Sequence, residues 1–297
     1  MLPTVDTADP RAVATEVQTI YLELFPAGDP TFVSRAFSWA TNFFQGRYSD
    51  FQPIAMKYHN FEHTLQVTLC MMQLLRGRAR AGAEPRLPQR MFELGLLAIL
   101  FHDIGYLKKR GDTTGTGAKY TLVHVLRSAE FAAQLLREHQ YAEADITAVR
   151  NMINCTGVNL AVETIRFQDD LERLVGFALS TGDLLGQIAA PDYVEKLPLL
   201  FEEFSESDRF NKPRRPAIGT FATAEEMIRR TPQFWTGYVL PKITNEFQGL
   251  FRFLNSPYPD GPNPYLQAAE ANIVKIQQRL DAAAAASAAP VPAASAT

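Results

Sequence analysis

Residues 94–103 read L-G-L-L-A-I-L-F-H-D, eight uncharged and mostly apolar residues that end on His102 and Asp103. In the wider segment 91–104 apolar residues recur at three- and four-residue spacing, which predicts a helix. A helix apolar on nearly all sides belongs in the interior. A carboxylate at the end of such a helix is costly to bury unless it is paired or bound to a cation. The same periodicity runs through 61–75, 122–136, 146–153, 171–185 and 238–254. No alternating strand pattern exceeds a few residues, and there is no internal repeat. Asp9-Pro10 and Asp29-Pro30 place an N-cap acceptor before a proline at a helix start, and Thr223 to Glu226 reads as a capping box. The expected fold class is therefore all-α. A single helical-bundle domain is expected over 10–280, with an N-terminal extension at 1–9. The Ala/Pro-rich tail 281–297 is expected to be disordered. Segments 110–119, 204–219 and 256–264, rich in turn formers or mixed charge, are expected as loops.

The 297 residues carry a net charge of −3, with 46% hydrophobic and 21% charged residues. That balance gives no broad footprint for nucleic acid or a membrane, so neither is expected as a partner. Two cysteines, Cys70 and Cys155, without CxxC spacing argue against a disulfide framework or a thiolate zinc site and fit a reducing cytoplasm. The start M-L-P-T-V-D-T-A-D-P has neither a basic nor an apolar stretch, so no signal peptide is expected. Cytoplasmic localisation is the expectation, and oligomeric state is left open.

Five histidines are present: His59, His63, His102, His124 and His139. His59 and His63 are four apart, so both project from one face if the segment is helical. Imidazole and carboxylate together suit Zn, Mn or Fe, and completion by water suits Mg or Mn. A second acid is needed to close such a site. Asp183 in A-L-S-T-G-D-L-L-G supplies it, because the apolar pattern continues on both sides of it. His63, His102, Asp103 and Asp183 are thus the expected metal ligands. Glu62 is a candidate to orient a ligand histidine. Lys108, at the start of the basic run 108–110, is a candidate to attract a phosphate.

Taken together, the H…HD…D pattern on helices resembles the HD-domain superfamily of metal-dependent phosphohydrolases. Within it the chain looks like the class I cyclic-nucleotide phosphodiesterases. Tyr58-His59-Asn60 with His63 matches their Y-H-N-x-x-H, and L-A-I-L-F-H-D-I-G matches their apolar helix ending in His-Asp. His124 lies where they have a further histidine opening a helix, and 152–158 resembles their I-L-A-T-D-M stretch. Gln248 and Phe251 match a Q-x-x-F pair that holds the base. The resemblance, over about 55–280, implies hydrolysis of a 3′,5′-cyclic nucleotide by water activated on a divalent ion (Mg, Mn, Zn or Fe). It makes His59 the general acid, a task that suits an imidazole with an unperturbed pKa of about 6.5. It also makes Tyr58, Asn60, Gln248 and Phe251 substrate contacts. His124 becomes a ligand of a second ion bridged by Asp103. The sequence departs from the family at Tyr106 and Gly157, where the relatives have a histidine and an aspartate, and at Asn154, near which di-iron HD proteins have a histidine. A phosphohydrolase acting on linear nucleotides or other phosphate esters, a di-iron oxygenase and a non-catalytic binding protein are the competing expectations.

Overall fold

A computed structural model of the chain describes residues 2, 4–157, 161–211 and 221–288, with side chains as far as 285. It is all-α, 69% helical and 1% strand, and has no sheet among the described residues. The helices are α1 Pro10–Leu24, α2 Phe32–Phe44, α3 Phe61–Arg80, α4 Gln89–Phe101, α5 His124–Glu138, α6 Glu143–Asn154, α7 Asp170–Ala189, α8 Tyr193–Asn211, α9 Ala224–Phe234 and α10 Pro264–Ala288. Among the described residues, no helix is long and apolar enough to cross a membrane. Cys70 and Cys155 are free and buried.

The run that opened the reading becomes the central helix. Every residue of α4 from Phe92 to Phe101 is buried, and α2, α3, α5, α6 and α7 all pack on it. A helix apolar all round can be stable only when surrounded in this way. The neighbouring helices α3 and α7 are themselves buried on all sides over 63–72 and 175–182. α3 packs most extensively on α7, and glycine makes the crossing close. A Cβ on Gly182 would lie 2.8 Å from Met71 Cβ, and one on Gly186 3.0 Å from Val67 Cα. The approach matters because α3 carries His63 and α7 carries Asp183.

Local signals fix several of the helix starts. Asp9 caps α1, its side chain accepting from Arg11 N–H, with Pro10 opening the helix. Thr223 caps α9 and accepts from Glu226 N–H, as the capping box predicts. Asp29 is displaced from its expected role: α2 begins at Phe32 after Thr31, and Asp29 Oδ1 instead accepts from the Thr31 N–H and hydroxyl at 2.8 and 2.7 Å.

Three expectations need correction. The segment 238–254 is not one helix. It breaks into π-helical turns at Trp235–Val239 and Lys242–Glu246 and a 3-10 turn at Leu250–Leu254. Gln248 at φ 57° and Gly249 at φ 68° are both left-handed, a conformation that ends an α-helix. The loop expected over 204–219 is helical to Asn211, within α8, and 212–220 lies outside the described residues. The tail expected from residue 281 is α10 as far as Ala288, an alanine run with high helix propensity, and 289–297 lies outside the described residues.

One further glycine locks the turn after α4 onto α5. A Cβ on Gly105 would sit 1.9 Å from His124 O. Gly105→Ala is expected to destabilise the protein by about 1–3 kcal/mol through overpacking. A lowered urea midpoint at unchanged slope would show it, whereas an unchanged midpoint would mean that the two backbones can separate.

Candidate metal centre and cavity

Each donor is placed by the way its own helix begins or ends. Asn60 caps α3, its Oδ1 accepting from His63 N–H at 3.0 Å, so His63 leaves the first turn of α3 pointing inward. His102 follows the last residue of α4. Its Nδ1 faces Ile99 O at 2.7 Å, and because a carbonyl only accepts, Nδ1 carries the hydrogen. Nε2, the nitrogen left for a ligand, then faces the site. Asp103 opens the 3-10 turn Ile104–Tyr106, which turns the chain away and leaves its carboxylate between α3 and α5. Asp183 comes from the fourth turn of a helix started by Asp169, whose side chain accepts from Glu172 N–H.

The donors converge. His63 Nε2 is 3.4 Å from Asp103 Oδ2 and 3.5 Å from Asp183 Oδ1, and His102 Nε2 is 3.3 Å and 3.6 Å from the same two oxygens. Donors about 2.0–2.2 Å from one ion lie roughly 3.0–3.5 Å from each other, so the spacing suits a common cation. His63, His102 and Asp103 are each at most 4% exposed and can hold a metal ion. The approaches are not hydrogen bonds: His102 Nε2 and Asp103 Oδ2 are buried with no hydrogen-bond partner. Buried polar atoms are almost always satisfied, and two orphans aimed at one point are what a site for a cation requires.

The electrostatics agree. Burial presses both imidazoles toward the neutral form, yet Asp103 and Asp183 raise His63 above its ordinary pKa and His102 well above it. Burial also opposes charge on the carboxylates, yet His102 and His63 hold Asp103 and Asp183 well below the usual carboxylate range. The cluster thus retains anionic oxygens in the interior and favours positive charge among them.

A second group of donors adjoins the first. His124 opens α5 and directs Nδ1 at Thr121 O, 2.7 Å away, leaving Nε2 3.5 Å from Asp103 Oδ1. Asp103 therefore faces His63 and His102 with one oxygen and His124 with the other. Burial lowers the His124 pKa, and Asp103 only partly opposes this. The Tyr106 ring stacks on both His124, at 4.6 Å, and His59, at 5.1 Å.

His59 is held by a residue that the sequence did not single out. Glu203 Oε2 lies 2.6 Å from His59 Nδ1, while Glu203 Oε1 accepts the backbone N–H groups of Lys57 and Tyr58 at 2.9 and 2.7 Å. One buried carboxylate on α8 thus fixes both the ring and the backbone leading to it. Tyr58 is buried behind the site and donates its hydroxyl to Gln187 Oε1 at 2.9 Å.

These groups form one end of a cavity of about 440 Å³, which includes His59, His63, His102, Asp103, His124 and Asp183 in its wall. Asn154 and Gly157, two of the departures from the resembled family, also line it. Five expected contacts do not, Tyr58 among them, because it is buried behind the site. Asn60 serves as the α3 cap. Lys108 turns its ammonium to Gly115 O, and its neighbour Arg110 donates to Gly46 O at 3.0 Å. Gln248 sits in the left-handed break, and Phe251 packs in the core. Glu62 pairs with Lys196 at 2.8 Å and touches no ligand histidine.

No curated protein matches the chain. A family comparison matches residues 34–255, spanning the donors on α3, α4 and α7 as well as His124 and Glu203, and on that match the chain belongs to the Npun_R2479-like family.

Proposed function

We propose that the chain is a metal-dependent phosphohydrolase of HD-domain type, with a divalent ion held by His63, His102, Asp103 and Asp183. The family description names no activity, so the reading rests on the site. The observation that carries it is the pair of buried, unpartnered atoms His102 Nε2 and Asp103 Oδ2, converging with His63 and Asp183 at the foot of a cavity. Two imidazoles and two carboxylates fit Mn, Fe, Zn or Mg. Such an ion supplies Lewis acidity, polarising a phosphoryl oxygen and lowering the pKa of water.

The chain's own residues supply the rest. Asp103 and Asp183 balance the ion's charge. His59, just before the cap of α3, faces the cavity with Nε2 because Glu203 takes its Nδ1–H. It is therefore placed to protonate the leaving oxygen as the ester bond breaks. Glu203 is a positioning residue, since it acts through His59. Glu203→Gln is expected to lower kcat by roughly tenfold or more, part of the usual contribution of general acid catalysis, while leaving KM and bound metal unchanged. A parallel loss of metal would assign Glu203 a structural role instead. Asp103 Oδ1 and His124 Nε2 are the donors for a second ion, beside which Tyr106 and Asn154 stand in place of histidines.

The cyclic-nucleotide reading is narrower and keeps His59, His63 and the His-Asp pair, but Gln248 and Phe251 stand away from the cavity. The two free, buried cysteines fit a cytoplasmic setting. The test is a panel of cyclic nucleotides, linear mono- and triphosphates and simple phosphate esters, assayed with Mn, Mg and Fe. Hydrolysis that a chelator stops supports the phosphohydrolase. Bound metal with no hydrolysis of any ester favours a binding protein, and two irons per chain with a mixed-valence signal favour an oxygenase.

A further inference from the structure

We infer that the cavity takes a phosphate ester of an apolar alcohol, with the phosphate at the metal donors and the hydrocarbon along α8 and α9. The inference rests on the phosphohydrolase reading and names its substrate class. Away from the donors the wall is built from Leu197, Leu200 and Phe204 of α8, Met227 and Phe234 of α9, and Leu126 of α5.

Several polar side chains of that wall are engaged within the protein. Thr121, Thr156 and Thr231 donate their hydroxyls to their own backbones, at Ala118 O (2.6 Å), Ile153 O (2.8 Å) and Met227 O (3.0 Å). Gln187 is engaged at both ends, accepting from Tyr58 and donating to Asp183 O at 3.1 Å. Arg230 pairs with Glu226 at 2.6 Å. A site that selects a base and ribose needs free donors and acceptors. Tyr106 Oη and Asn154 Oδ1 are free in the lining, but they lie on elements other than α8 and α9, where Thr231 and Arg230 are engaged within the protein.

The apolar character continues outward, where Leu126 is 60% exposed and Phe234 41%. Apolar side chains left partly in water along a cavity wall fit the entrance of a ligand-binding groove. The volume, about 440 Å³, falls in the range of ordinary ligand pockets. In the reaction, water oxygen bonds to phosphorus and the bond from phosphorus to the alkyl oxygen breaks. The alcohol leaves with a proton from His59, which water restores, so no further reactant is required.

The test uses the full metal-loaded chain and a series of methyl, butyl and octyl phosphate, with adenosine 5′-monophosphate and 3′,5′-cyclic AMP alongside. kcat/KM is expected to climb with chain length, by roughly fourfold per methylene that is buried, and octyl phosphate to exceed both nucleotides at least tenfold. Leu200→Asn is expected to cut the octyl rate at least tenfold more than the methyl rate, a ratio that misfolding alone would not change. A flat alkyl series, or a nucleotide preferred over octyl phosphate, overturns the substrate class and leaves the hydrolase standing. No phosphate release from any member overturns the hydrolase itself.

Discussion

His102→Ala and Asp103→Ala are each expected to abolish both bound metal and activity. Each removes one of the converging donors, and the remaining ones cannot enclose an ion at the end of α4. Asp103 faces the most donors, its two oxygens meeting His63 and His102 on one side and His124 on the other. The folded state need not suffer equally. The His102 Nε2 and Asp103 Oδ2 atoms have no hydrogen-bond partners, so truncation costs no such bond there, although Asp103→Ala leaves two buried imidazoles facing one carboxylate fewer. Breaking a buried charge cluster on one side costs several kcal/mol in general, about 3–5, which predicts a lower melting temperature for Asp103→Ala than for His102→Ala. Metal per chain, measured by atomic emission after dialysis, together with phosphate release checks both claims. A variant that stays active without metal would remove the site assignment.

His59→Ala carries the second large effect. It is expected to retain metal, because His59 is held by Glu203 and is not among the converging donors, and to lose roughly 10²–10⁴ in kcat, the usual contribution of a general acid. The loss should depend on the leaving group. An alkyl oxygen needs a proton as it departs, whereas nitrophenolate is stable without one, so 4-nitrophenyl phosphate should suffer far less than an alkyl phosphate. Equal losses on the two would mean that His59 binds metal or only shapes the site. Because Tyr106 stacks on His59, a Tyr106→Phe control, which keeps the ring, separates loss of the proton donor from a loosened pocket.

Much of the metal end was legible because it obeys local rules. The unbroken apolar run before His102-Asp103 could only be an enclosed helix. The apolar setting of Asp183 likewise followed from periodicity and the cost of burying charge, whereas His59 precedes the cap Asn60 and lies outside the helix that carries His63. What escaped depends on the tertiary fold. Glu203 lies in a segment of mixed charge, and nothing local distinguishes it from its exposed neighbour Glu202, which pairs with Lys57 at 2.9 Å. Only the packing of α8, chiefly against the turn Gly117–Tyr120, turns one of the two onto His59 and the segment before α3. Gln248 and Phe251 failed for the opposite reason. Their spacing suits a helix face, but side-chain periodicity carries no information about the left-handed backbone at Gln248 and Gly249. Asn60 and Lys108 were read as ligand contacts, yet both are spent on backbone groups nearby.

The most direct measurement is phosphate release from 4-nitrophenyl phosphate by metal-stripped protein as Mn is titrated back. The cluster of His63, His102, Asp103 and Asp183 requires no release without metal, and release that grows with occupancy and saturates when the site is full. Metal that binds stoichiometrically while release stays at background, or release that is the same in the stripped protein, would contradict it.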